Sequence, residues 1–184
     1  MTVSELLAAI RKPYVETLVR IAAQGALHLE PAYRNSEGSL ATEGAMDTPC
    51  RVDVIAAEGE SAGQPVQVDS ESELAFEPIH FELGPTAVVI SPFGWDWLPL
   101  DVRGLSLEVA SQVLRTWFFE WFDGEDENPP TEEGLQGVVH FVSDPEPTGE
   151  GYKVKIDLGS APGVAVESLL FALADAGATG VFLG

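Results

Sequence analysis

The chain has 184 residues, 45% of them hydrophobic, and 30 acids against 9 bases give it a formal net charge of −21. That apolar share supports a sizeable core and excludes disorder of the whole chain, while no apolar run approaches the roughly 20 residues of a membrane helix. So acidic a chain also argues against direct binding to nucleic acid or an anionic membrane, because phosphate contacts need Lys and Arg to displace counterions.

The residues from Met1 to Arg11 carry their charges after the apolar stretch, the wrong order for a secretory signal. Cys50 has neither a disulfide partner nor a second thiol for a zinc site. A cytoplasmic protein is the economical expectation, and the excess of Arg over Lys with abundant Ala, Gly and Val is compatible with a GC-rich bacterial genome.

Leu6, Ile10, Tyr14, Leu18 and Ile21 recur at spacings of three and four and predict helix. Pro13 falls inside this stripe, so the spacing predicts a pair, one short helix ending near Arg11 and a second beginning there. The stretch 35–50 is aperiodic, rich in Gly, Ser, Thr and acids, and reads as an irregular acidic loop. A strand-rich block follows. Val52 and Val54 alternate with polar neighbours, as do Val66 and Val68, with a hairpin connection over 58–63 between them. Ile79, Phe81 and Leu83 alternate with His80 and Glu82, Gly84-Pro85 turns the chain, and Ala87 to Ile90 is an apolar run suited to an interior strand. The block reads as an antiparallel meander.

Ser106 is a good N-cap for a long central helix to Phe122, with Ala110, Val113, Leu114, Trp117, Phe118 and Trp121 on its apolar face. A second acidic loop spans 123–134. Val138 to Val142 reads as a strand, and Tyr152 to Leu158 alternates cleanly. Ser160 is placed to cap a helix over 161–176, and Val181 to Leu183 forms a closing strand that suits a sheet edge, open to a second copy, or the interior. Strand, helix, strand with short links implies a parallel pair. The expectation is one α+β domain over 1–184: an N-terminal helix pair, a mostly antiparallel sheet with a long central helix, and a C-terminal ββαβ unit contributing at least one parallel strand pair.

No segment carries a recognised catalytic, metal or cofactor motif. The loop from Asp123 to Asn128 clusters hard oxygen donors but has its Gly second and Gly134 in the twelfth place, which is not the EF-hand order. Leu158 to Gly163 joins a strand to a helix start, where free N–H groups suit an anion, yet it matches neither the P-loop nor the dinucleotide fingerprint. His28, His80 and His140 have no metal-ligand spacing, and the last two fall on strand positions facing solvent or a polar edge.

The charge is uneven. Only Arg51 is basic between Asn35 and Glu82, and no Lys or Arg lies between Thr116 and Tyr152. Carboxylates of Asp123, Glu125, Asp126, Glu127, Glu132 and Glu133 would steer a basic partner. Trp95, Asp96 and Trp97 lie in a Pro/Gly-bracketed connection whose aromatics suit binding anchors or a plug against the helix of Trp117 and Trp121. In size, acidity and lack of a catalytic motif the chain is similar to small acidic immunity proteins that neutralise bacterial toxins. This implies a non-enzymatic inhibitor that engages a basic protein and uses no cofactor. Three other classes stay open: a DNA mimic occupying a nucleic-acid-binding groove, a small enzyme using Asp96, Asp157 or a His, and a structural or oligomeric subunit.

Overall fold

A computed structural model of the chain describes residues 1–60, 62–69 and 73–184. Its elements in chain order are α1 (Val3–Ala22), β1 (Leu27–Leu29), β2 (Thr42–Glu43), β3 (Thr48–Pro49), β4 (Val54–Ala56), β5 (Pro65–Val66), β6 (Ile79–Leu83), β7 (Thr86–Ile90), β8 (Leu98–Arg103), α2 (Leu107–Phe122), β9 (Phe141–Val142), β10 (Glu146–Pro147), β11 (Gly151–Asp157), α3 (Gly163–Asp175) and β12 (Gly180–Leu183). The fold is mixed α+β, and none of the described helices is long and apolar enough to cross a membrane.

The expected helix pair is one continuous helix. Pro13 lies within α1, which opens on a capping box between Thr2 and Glu5. Proline removes the donor that would meet the Ala9 carbonyl, but Ala9 is only half-buried, so water can take its place. Burial of Leu6, Leu7, Ile10, Tyr14, Val15 and Leu18 along one stripe holds the helix together across the defect.

The expected meander is split between two sheets. β4 and β5 form the hairpin, with β1 on the other side of β4, in a three-stranded antiparallel sheet; Ser61 in its connection lies outside the described residues. β6 and β7 pair around Gly84-Pro85 at the edge of a seven-stranded sheet of order β10-β11-β8-β12-β7-β6, with β9 also on β11. Within the stretch 35–50, β2 and β3 make a small hairpin rather than an irregular loop. Its turn is held by Asp144, whose carboxylate accepts the Ala45 and Met46 N–H groups at 2.7 and 2.8 Å.

The closing strand is interior. β12 runs parallel to β7 and antiparallel to β8, so the parallel pair exists and this strand offers no free edge to a second copy. β8, central in the sheet, has no counterpart in the sequence reading. Pro99 interrupts its pattern, although Leu98, Leu100 and Val102 face inward and Pro99, Asp101 and Arg103 do not. Of the expected strand Val138 to Val142, only Phe141–Val142 pairs as a strand. Val139 instead donates its N–H to the Trp121 carbonyl, and the Val138 carbonyl accepts from Ala161.

Ser106 caps α2 through the Val109 N–H. Ser160 does not cap α3, which starts three residues later at Gly163 after Pro162, because its hydroxyl accepts the Gly137 N–H at 2.8 Å. α3 packs against both α1 and α2, and the Trp117 and Trp121 indoles donate to the Ala165 carbonyl and the Ser168 hydroxyl across the α2–α3 contact. Helix residues such as Leu114, Phe118, Leu169 and Leu173 share one core cluster with Val88, Leu98, Leu100, Val154 and Val181 of the sheet.

Phe118 is fully buried and meets the rings of Phe119 and Phe122 with centroids 5.7 and 5.0 Å away. Phe118→Ala should therefore lower unfolding stability by about 3–5 kcal/mol in urea titration, through lost transfer energy and the cavity left behind.

Candidate functional site

Among the described residues seven polar or charged ones are buried, and five of them, Glu30, Arg51, Asp53, His140 and Ser160, meet in one place. Glu30 follows β1 and precedes Pro31 in a left-handed conformation with φ 51°. That geometry is unfavourable for a residue with a side chain, and it persists because every polar atom of Glu30 is tied down. Its N–H donates to the Asp53 carbonyl at 2.8 Å, and its own carbonyl accepts Arg51 Nη1 at 2.7 Å. Its Oε1 accepts the Ser160 N–H at 3.0 Å and lies 2.8 Å from His140 Nε2, while Oε2 accepts the Gln136 N–H at 2.7 Å. Burial pushes the Glu30 carboxyl up, but the His140 ring and these N–H donors more than offset that and hold it below the usual carboxylate range.

His140 has no exposed surface and sits just before β9. Its backbone is clamped at both ends, N–H to the Asp157 carbonyl at 3.0 Å and carbonyl to the Arg51 N–H at 2.9 Å. With Nε2 on Glu30, its Nδ1 faces two further carboxylates, Asp53 Oδ1 at 3.3 Å and Asp157 Oδ2 at 3.7 Å. Neither contact is a well-directed hydrogen bond, and among the described residues Nδ1 has no hydrogen-bond partner. Burial alone would lower the basicity of the ring, but the Asp157, Asp53 and Glu30 carboxylates outweigh it and raise the His140 pKa well above the usual value.

Asp53, just ahead of β4, accepts the Val68 N–H at 2.6 Å on Oδ2 and the Tyr14 hydroxyl of α1 on Oδ1. Burial pushes its pKa up, yet His140, Tyr14 and the Val68 N–H bring it net below the usual range. Tyr14 itself is raised well above its usual value, by burial first and then by the Asp157 and Asp53 charges, so it stays a protonated donor. Asp157 ends β11, with Oδ1 on the Gly159 N–H at 2.9 Å and Oδ2 towards His140. A cavity of about 340 Å³ lies against Asp53 and Asp157, with Tyr33, Arg51 and Gln67 on its wall.

Arg51, the lone base of its stretch, is 5% exposed and closes the C-terminal end of α2. Its guanidinium donates to the Phe122 and Asp123 carbonyls at 2.9 and 2.6 Å, lies over the Phe122 ring, and reaches Asp126 at 2.8 Å. The last turn of α2 has no base of its own, so this long-range cation satisfies its carbonyls and its dipole.

The residues singled out from sequence divide into two groups. Trp95 is a core residue, 1% exposed, whose indole donates to the Gly159 carbonyl at 3.0 Å, so it presents no surface to a partner. Trp97 is 48% exposed and stacks flat on Phe141, with the Lys155 ammonium 5.5 Å from its ring centroid. Trp95 shares the core cluster with Trp117, and Trp121 packs against it. Asp96 is half-buried between Trp95 and Trp97, and burial, aided by the Asp69 and Asp157 charges, raises its pKa.

In the acidic loop, Asp123 turns back on the Glu127 and Asn128 N–H groups, Asp126 pairs with Arg34 and Arg51, and Glu133 pairs with Arg11 at 3.1 Å. Glu125, Glu127 and Glu132 are exposed. The N–H groups of the turn 158–163 are taken internally, Gly159 by Asp157, Ser160 by Glu30 and Ala161 by the Val138 and Leu158 carbonyls. His28 and His80 are exposed, but His140 belongs to the interior and not to a solvent-facing strand position. Sequence reasoning missed Glu30 and Asp53, and read Tyr14 only as part of a helix stripe and Ser160 only as a helix cap. The available signal was Arg51, a solitary base inside a long acidic stretch.

Comparison with protein-family models, curated proteins and solved structures finds no match.

Two substitutions test how far the fold depends on this cluster. Glu30→Ala leaves His140 and the Ser160 and Gln136 N–H groups buried without their acceptor, and should cost about 3–5 kcal/mol in urea denaturation. Gly159 has φ 50°, and a Cβ there would collide with the His140 ring and the Val138 carbonyl. Gly159→Ala should therefore lower the thermal midpoint, whereas Gly149→Ala, where a Cβ meets nothing within 4 Å, should leave it nearly unchanged.

Proposed function

We propose that the chain is a non-enzymatic acidic binding protein, of inhibitor or toxin-neutralising immunity type, that engages a basic protein partner. The observation that carries this reading is how the few bases are spent. Arg51 is buried, Arg11 lies on the Ser160 and Ala161 carbonyls and Glu133, Arg34 on Asp126, Arg103 on Asp101 and Glu150, and Arg115 on the Met46 carbonyl. Lys12 pairs with Glu16 and Lys155 lies over Trp97. Arg51 is withdrawn from the surface and most other arginines are tied to partners within the chain, so that even with Lys12, Arg20, Lys153 and Lys155 exposed, carboxylates such as Glu125, Glu127 and Glu132 face solvent in large excess, a field that repels acidic surfaces and draws in basic ones. Trp97, half-exposed and supported from below by Phe141, is the aromatic surface on which a partner would gain contact energy.

The test starts with affinity capture from source lysate supplemented with the products of adjacent genes, at low and high salt, followed by kinetics with the purified partner. One basic protein should be retained at low salt, with an association rate that falls at least about tenfold as ionic strength rises. The triple variant E125Q/E127Q/E132Q should slow association, and Trp97→Ala should speed dissociation. A specific complex whose association rate ignores both salt and these charges would overturn the reading.

A further inference from the structure

We propose that Asp53, His140 and Asp157 bind a divalent first-row metal ion, zinc or manganese, through Asp53 Oδ1, His140 Nδ1 and Asp157 Oδ2, beyond the partner-binding role and independent of it. These three donor atoms lie within 4.8 Å of one another. Donors about 2.0–2.2 Å from one tetrahedral ion stand about 3.3–3.6 Å apart, and the observed separations from Nδ1 are 3.3 and 3.7 Å. Both separations from Nδ1 are thus close to those of a coordination shell.

The environment of His140 directs the ring to that task. Glu30 receives backbone N–H donors on both oxygens and so acts as an acceptor towards Nε2, which must carry a proton. The remaining nitrogen, fully buried and without a hydrogen bond among the described residues, faces the two aspartates. A carboxylate behind the non-ligating nitrogen is the arrangement that fixes ligand histidines and strengthens their donation. Asp53 is oriented in the same way by the Tyr14 hydroxyl and the Val68 N–H, and Asp157 by the Gly159 N–H.

Charge supports the same assignment. Glu30, Asp53 and Asp157 bring three carboxylates to one largely buried place, while the nearby Arg51 guanidinium is spent on three carbonyls and Asp126. A divalent ion would take the place of the Nδ1 proton and bring a second positive charge to carboxylates that the His140 ring alone faces. One nitrogen and two carboxylate oxygens suit zinc or manganese better than a soft metal. The cavity of about 340 Å³ against Asp53 and Asp157 gives an entry path and room for bound water, and three protein donors leave at least one coordination position for it.

The test is calorimetric titration of the chelator-stripped, dialysed full chain with zinc chloride and, separately, manganese chloride, at a salt concentration that screens the surface acids. Saturable binding of one equivalent of either ion is expected. Asp157→Asn, the most accessible ligand change, should weaken it at least tenfold, while E125Q/E127Q/E132Q leaves it unchanged. Histidine ring nitrogen spectra of the unmodified protein give a readout that needs no variant: the His140 Nδ1 resonance should move on addition of zinc, and those of His28 and His80 should not. Failure of both ions to bind saturably, equal affinity in Asp157→Asn, loss of binding in the surface triple variant, or an unmoved His140 resonance would each overturn the proposal. None of these outcomes touches the partner-binding reading, which is judged by salt-dependent association.

Discussion

An ionised carboxylate cut off from water must be met by donors from the protein itself, and Glu30 is met from three separate stretches of chain. The N–H groups of Gln136 and Ser160 and the ring of His140 converge on its two oxygens, while Arg51 takes its carbonyl. These partners lie up to 130 residues away in sequence. The rest of the interior is arranged around this requirement. Ser160 is withdrawn from capping α3 and spends its hydroxyl on the Gly137 N–H, Gly159 gives up a side chain so that the His140 ring can lie against it, and Trp95 donates its indole to the Gly159 carbonyl. A buried polar group is costly only while it is unpaired, and here all of the oxygens of Glu30 have partners.

The same cluster joins fold and surface. Arg51 reaches from the centre to the C-terminal end of α2 and on to Asp126, so part of the acidic loop is a structural extension of the interior. What faces solvent without such ties is a smaller set of acids, with Trp97 on its Phe141 support. The surface charge is thus sharpened by the interior, which withdraws Arg51 from it.

Much of the secondary structure was legible because its signals are local. The alternation of Ile79, Phe81 and Leu83 marked β6, and the Ser106 cap and apolar face marked α2. The errors arose where a local signal lost to tertiary context. Pro13 suggested a break that burial of Leu6, Leu7, Ile10, Tyr14, Val15 and Leu18 overrides, and Pro99 hid the central strand of the main sheet. The buried cluster was illegible for a different reason. Asp53 sits between Val52 and Val54, where alternation puts an acid on the solvent side, and Glu30 stands beside a proline with no motif around it. Their role depends on partners more than a hundred residues away for Glu30, and for Asp53 on Tyr14 of α1 and on His140, and no spacing rule reports such encounters.

The position of β12 carries a kinetic consequence. It separates β7 from β8, although both precede it in the chain, so the two strands cannot complete their hydrogen-bond ladders with each other and must wait for a third to arrive. Until then each exposes an apolar edge, and the loops that must close to bring β12 home are long. Such non-local closure slows folding and leaves strand edges open to other molecules in the meantime. A high net negative charge keeps half-formed chains apart during that interval, so the acidity of this protein protects its own assembly whatever else it serves.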